Sequence, residues 1–593
     1  MKSWAQRERA RHILAKEVGF VSKPHGGRLR IALAFPNTYW VGMSNLGFQT
    51  MYRLFNAEDD VVCERFFLPP KQELAELAAA RVPLLTLESQ TPVGEFDVIA
   101  FSVSFEWDYV NVLTLLRLAG VPRYAAERTH RHPLVVVGGA VTFVNPEPLA
   151  PFADVIAAGE GEALVPGLRR AVAAATDRAD LLRLLARERG FYVPSFYEPH
   201  YCADGTLAGY TVRPGGDAVN TDSAGASSGP PLPVRKAALK TTEAVDPPAT
   251  SIFTPDTEFG ARFLVEVVRG CANLCRFCWA GYNYLPVRAF PTDRILQLAE
   301  AARAHAHRVG LVSIALCDHP DIERILMRLN EMGYAISPAS LRLDDLTETI
   351  VRLLHDSGER TITIAPETGS DRLRRVINKT VTNDEILDRA DLIFASGIAN
   401  LKLYYMIGLP TETDEDLVAI RDLTLQIRER MLRHARGRGQ IGRIVGSVNP
   451  LIPKPGTAYQ WLPMEDPAVV DRKIKRLRSL MADIDNVYFN IKSERHSYFQ
   501  ALLSLGDRRV APAIEAAERN GQNWRAAVAE AGVDGDFFIF RDRSRDAMLP
   551  WDIIDGGMKR PFFEAEYAKS LREEWTLPPK RAQENAKLLP VIG

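Results

Sequence analysis

A chain of 593 residues with 46% hydrophobic and 25% charged content has room for about three or four soluble domains with sizeable cores. Its formal net charge of −1 gives no whole-chain basic excess of the kind that marks nucleic-acid binding, and it has no uncharged run of about twenty apolar residues to cross a membrane. The first residues, MKSWAQRERARHILAKE, are charged and amphipathic and hold no signal-peptide apolar region. Six cysteines, three of them clustered, fit a reducing cytoplasm better than a disulfide framework.

In chain order, the first predicted strand is Leu29–Phe35 (LRIALAF), followed by a loop and helix over Gly42–Phe55. Further buried strands are predicted at Asp97–Val103, Pro133–Val137 and Asp154–Ala158, with a helix near Tyr109–Leu118 and another opened by Gly159-Glu160-Gly161-Glu162. Strands alternating with helices imply a doubly wound parallel sheet, here an N-terminal α/β domain over residues 1–213. Such a sheet takes ligands at the carboxyl ends of its strands. The loops Pro36–Asn45, Ser104–Asp108, Gly138–Pro148 and Gly159–Glu162 line that edge. Residues 214–255 turn rich in Gly, Ser, Pro, Ala and Thr and read as an exposed, flexible linker.

Six strand–helix units follow within residues 256–493. The strands are predicted at Phe263–Arg269, Leu311–Leu316, Ala335–Leu341, Thr361–Ala365, Asn400–Ile407 and Arg443–Val448. Helices are predicted after them, including one long helix over Ser370–Ser396, with Gly333, Gly358 and Gly397 at C-cap positions. Six such units suggest a partial (β/α)6 barrel, whose chemistry sits on the loops after the strands. The first of these loops carries Cys271, Cys275 and Cys278, spaced C-x3-C-x2-C. Soft thiolates so close together suit an iron–sulfur cluster or zinc. A structural zinc site is normally closed by four protein ligands, and no obvious fourth is present; His305 and His307 fall in a helical pattern. A cubane cluster on three cysteines leaves one iron open. Three unrelated core cysteines are the bland alternative.

The loop closely resembles the C-x3-C-x-aromatic-C signature of the radical S-adenosylmethionine (SAM) superfamily, with Phe277 as the aromatic residue. The resemblance implies that Cys271, Cys275 and Cys278 hold a [4Fe-4S] cluster whose open iron chelates SAM. It also offers Asp318, in Cys317-Asp318-His319-Pro320, as an acceptor for the SAM amino group. Pro366-Glu367-Thr368-Gly369-Ser370 resembles a P-E-x-G-S turn of these proteins, which offers Glu367 to SAM, with Arg342 a weaker candidate. Gly408-Leu409-Pro410-Thr411-Glu412-Thr413 resembles the segment that packs on the adenine, where Gly408 would permit close approach. Lys402, inside the fifth strand, points to an anionic group or merely snorkels. Glu412 with its flanking threonines also makes a plain helix start.

The N-terminal domain resembles the cobalamin-binding-like domain that precedes many such barrels. No histidine here has an aspartate two residues before it, so the cobalt-ligating D-x-H-x-x-G motif is absent. Cobalamin is therefore possible but ranks behind a substrate-shaping role. Gly506-Asp507-Arg508-Arg509 and Leu549-Pro550-Trp551-Asp552 resemble segments of an uncharacterised radical SAM family with a small, mostly helical α+β C-terminal accessory domain, here residues 494–593. No cysteine follows Cys317, which puts an auxiliary cluster in doubt. The resemblance implies a cytoplasmic enzyme that cleaves SAM reductively, with an electron donor such as flavodoxin or ferredoxin and an unknown substrate. Cobalamin-dependent methyl transfer, methylthiolation of RNA or protein, and a non-catalytic zinc scaffold are the alternatives.

Overall fold

Strand β1 (Leu29–Phe35) is buried over its last five residues and lies between β2 (Val61–Phe67) and β3 (Val98–Ser102). The sheet continues through β4 (Leu134–Gly138), β5 (Val155–Ala157) and β6 (Phe191–Tyr192), in the order β2-β1-β3-β4-β5-β6. All neighbours are parallel except β5 and β6. The computed structural model describes residues 3–577 except 81, 214–229, 339–340, 344–345, 437–438 and 440. The order reverses at β1, so the loops after β1 and β3 flank the topological switch point. β2 is absent from the sequence expectation because Glu64 and Arg65 interrupt its apolar run. Both charges are buried and paired, Arg65 with Glu17 and Glu88 at 2.6 and 2.7 Å, Glu64 with His25 at 2.7 Å.

The second unit has its first three strands at Phe263–Arg269, Arg308–Ser313 and Ala335–Pro338, with a short antiparallel edge at Arg288–Ala289. Its fourth to seventh strands are Thr361–Glu367, Asn400–Ile407, Ile444–Pro450 and Val487–Ile491, all parallel. All six expected strands are present, and the seventh is an addition. In the expected helix Ser370–Ser396 there are two, Asp371–Ile377 and Asn383–Ala395, separated where Asn378 turns left-handed at φ 55°. The last hundred residues contribute helices Glu494–Leu505, Ala511–Arg519, Trp524–Glu530 and Arg560–Leu571. No helix among the described residues is long and apolar enough to cross a membrane.

The expected linker needs correcting. Residues 214–229 lie outside the described residues, but 230–255 are packed between the units. Ala237 bridges to Gly159, Ala249 bridges to Val265, and Val234–Arg235 pairs with Ile554–Asp555. Val234, Ala237 and Ile252 are buried, yet they are spaced too irregularly to show a period among the prolines. Lys236 is buried too, its ammonium bonded to the Asn283 carbonyl and 5.5 Å from the Phe143 ring. Burial pulls its pKa down to about 8, against the pull of Glu160. A depressed lysine costs stability in full below its folded pKa, and that cost is lost as pH rises to the unfolded value. Relative to Lys236→Met, the wild type is therefore expected to gain about 3 kcal/mol of stability between pH 8 and pH 10.5. Denaturant unfolding across that range checks this, and parallel pH profiles would refute it.

The barrel strands form two four-stranded sheets, and the carboxyl edge of the N-terminal sheet meets the loops that follow them. From the loop after β5, Glu160 and Glu162 pair with Arg269 at 3.1 and 2.9 Å, and Glu160 reaches Arg288 at 2.6 Å. From the loop after β4, the Phe143 ring lies 5.8 Å from Trp279 and 5.6 Å from Tyr284. From the loop after β3, Glu106 bonds to Lys454 and to Ser504. The N-terminal unit thus covers the end of the barrel at which the cysteine loop emerges.

Candidate metal centre

Gly270 ends the first barrel strand and turns the chain with φ 98°. A Cβ there would stand 2.5 Å from the Tyr284 carbonyl oxygen, so only glycine fits. The loop then folds on itself. The Cys278 N–H donates to the Cys275 carbonyl at 3.0 Å, and the Arg276 N–H donates to Ile377 at 3.0 Å. Cys271 is buried, and Cys275 and Cys278 are half-buried. Burial pushes all three thiols up. The Lys379 charge opposes this at Cys275, the Arg342 charge at Cys271, and the Gly281 N–H at Cys278. Without a metal these groups stay protonated; a bound metal would take the thiolates and release the protons. Among the described residues no three His, Cys, Asp or Glu groups stand close enough to share a single ion.

Two charged pairs flank the thiols. Glu367, the last residue of the fourth strand, holds a left-handed φ of 65° and accepts from Lys379 at 3.2 Å. Burial raises the Glu367 pKa. Burial also opposes the charge on Lys379, but Glu367 and Cys275 carry that pKa above its ordinary value. Asp318 lies on a short turn after the second strand and accepts from Arg342 at 2.9 Å, while Arg342 also reaches the Asn273 side chain at 3.3 Å. Asp318 is thus gripped by a cation that itself touches the cysteine loop. Phe277 packs against an apolar cluster that includes Leu373, Val376, Leu409 and Tyr459.

The structure therefore brings Cys271, Cys275, Cys278, Phe277, Asp318 and Glu367 to one end of the barrel. Gly408 behaves differently. Its φ is 76°, its N–H donates to Glu412 at 2.7 Å, and the space a side chain would fill is taken by Glu465. Lys473 pairs with both carboxylates at 2.7 Å, and burial lifts Glu412 to about 7. Lys379 was not legible in the sequence because it sits in no ligand motif, and Arg276, although inside the cysteine motif, occupies one of its variable positions.

The inner face of the barrel carries polar side chains. On the fifth strand Leu401, Leu403, Tyr405 and Ile407 are buried, while the alternating Lys402, Tyr404 and Met406 are not. Tyr405 bonds to Thr424 on the outer helix Asp414–Ala435, so the alternating set faces inward. In register with it stand Thr363, Ser447, Tyr488 and Asn490. A parallel barrel normally fills its interior with layers of branched apolar residues. Here the alternate positions of the fifth and seventh strands, Lys402, Tyr404, Tyr488 and Asn490, are instead polar or aromatic and partly exposed.

Comparison with known proteins places the same segments in one class. Residues 47–194 match the family described as radical SAM proteins, N-terminal, and residues 265–424 match the radical SAM superfamily. An uncharacterized protein of Methanocaldococcus jannaschii is 27% identical over 433 residues, 72% of this chain and 79% of that one. A tRNA-2-methylthio-N(6)-dimethylallyladenosine synthase of Aeromonas salmonicida is 23% identical over 271 residues, 43% of this chain and 53% of its own length. A radical S-adenosylmethionine methyltransferase from Kitasatospora setae aligns over 85% of this chain and 100% of its own, with a TM-score of 0.48 and 12% identity.

Proposed function

Because this chain is a radical SAM enzyme, with a radical SAM N-terminal unit ahead of its barrel, we propose that Cys271, Cys275 and Cys278 hold its [4Fe-4S] cluster. The observation that supports this assignment is that Cys275 lies within electrostatic reach of Cys271 and Cys278, with the Lys379–Glu367 pair beside it. Bound there, the cluster and SAM would supply reductive cleavage to methionine and a 5′-deoxyadenosyl radical, which abstracts hydrogen from a substrate.

The protein's part is binding, orientation and exclusion of water. Lys379 offsets the negative charge of the thiolates. Glu367 and Asp318 are the acceptors offered to the SAM amino group, and Phe277 buttresses the loop from the apolar side. The inner barrel face with Lys402, Tyr404, Ser447 and Asn490 receives the substrate, and the N-terminal unit covers that end of the barrel. A low-potential flavodoxin or ferredoxin in the cytoplasm is the proposed reductant.

Methylthiolation of RNA is a second reading, favoured by the similarity to the tRNA-modifying synthase. It needs a further sulfur source. The three other cysteines lie on separate elements, Cys63 buried in β2, Cys202 exposed beyond a hairpin strand and Cys317 on the turn before His319. Cobalamin, which could bind without a protein histidine, is a further reading that is not favoured here. None of the four edge loops of the N-terminal sheet contains a histidine, and those after β3, β4 and β5 bond directly to the barrel or the C-terminal residues.

Glu367→Gln is expected to weaken SAM binding about tenfold, the usual loss when a charged hydrogen-bond acceptor becomes neutral, while leaving iron content unchanged. Anaerobic equilibrium dialysis with SAM measures this. Unaltered affinity would take Glu367 out of the site.

A further inference from the structure

The residue that follows the second cysteine is tied to residues some 290 positions further along the chain. Arg276 is fully buried, and its Nε donates to Glu566 at 3.2 Å. One terminal nitrogen donates to the carbonyls of Arg375 and Val376 at 2.8 and 3.0 Å, near the C-terminus of helix Asp371–Ile377. The other donates to the Glu574 carbonyl at 2.8 Å. Glu566, itself buried, also accepts from Lys569 at 3.1 Å and from the Thr576 hydroxyl at 2.6 Å.

Thr576 completes a second connection. Its backbone N–H donates to the Asn378 side chain at 2.8 Å and its carbonyl accepts from it at 3.0 Å. The same Asn378 amide reaches the carbonyls of Asn273 and Leu274 in the cysteine loop at 3.2 and 3.3 Å. Leu274 is a branched residue at φ 52°, and Tyr282 also grips its carbonyl, at 3.0 Å. A non-glycine residue stays in that region only when its surroundings over-determine it.

We propose that residues 560–577 are a strap that fixes the cysteine loop in its ligand-presenting shape, with Glu566 and Thr576 as positioning residues for the metal centre. This rests on the cluster assignment above. Ligands are held best when the groups around them leave one conformation available, and here those groups come from the last described helix and the turn after it. Removing Glu566 leaves the Arg276 charge buried without its partner, which frees the loop rather than merely softening the surface.

The test uses the full chain, reconstituted anaerobically, with iron release to a chelator followed over time and the reduced protein examined by electron paramagnetic resonance. Glu566→Ala is expected to release iron about tenfold faster than wild type and to broaden the resonance, with Glu566→Gln intermediate because it keeps an oxygen for Arg276. Glu518→Ala, which breaks another buried ion pair with Arg117 and Arg123, serves as the control and is expected to match wild type. Equal release from Glu566→Ala and wild type, or from the two alanine variants, would overturn the strap. Wild type without iron would instead overturn the cluster assignment beneath it.

Discussion

Cys275→Ala is expected to leave the anaerobically reconstituted protein with less than about one iron per chain, against about four in the wild type, and without visible absorbance. Cys275 is the middle of the three thiols, and both of the others lie within its electrostatic reach. A cubane that loses one of three protein ligands is held by only two, and exchange to solvent follows. Zinc retained at one equivalent in the wild type, colourless and lost in the variant, would mean that the loop holds a d10 ion and the chain is a scaffold. Full iron retention in the variant would remove Cys275 from the ligand set.

Gly270→Ala is expected to destabilise the apo protein by about 3 kcal/mol, from left-handed backbone strain together with overpacking against the Tyr284 carbonyl. It is also expected to lower iron loading, because the clash lies at the base of the cysteine loop. Gly333→Ala separates the two causes. Gly333 has φ 81° but nothing within 4 Å of where an alanine methyl would stand, so only the backbone strain of about 1 kcal/mol remains. Denaturant unfolding of the two variants gives the comparison. Equal losses would show that the Tyr284 contact contributes nothing.

The strands that could be read from the chain were those whose neighbours agree with their local chemistry. Leu29–Phe35 and Phe263–Arg269 are near-continuous apolar runs, as strands covered on both faces should be. Val61–Phe67 carries the same burial but hides it behind Glu64 and Arg65, whose partners come from other parts of the chain. Val487–Ile491 alternates, with Tyr488 and Asn490 exposed, and five residues are too few for a period to stand out.

The site divides the same way. Metal ligation is local, so three cysteines within one loop announce themselves by spacing. Positioning is not local: Arg276 and Glu566 are 290 residues apart, and Lys379 follows a helix end that carries no ligand motif. Gly408 has a positive φ, and a methyl there would stand 3.1 Å from the Glu465 carboxylate.

The most direct test of the account is release of 5′-deoxyadenosine from SAM by the reduced, iron-loaded protein, beside a variant with Cys271, Cys275 and Cys278 all changed to alanine. The account predicts product from the wild type and none from the variant. A wild type that carries a full cluster, binds SAM and still releases no 5′-deoxyadenosine above the variant would contradict it.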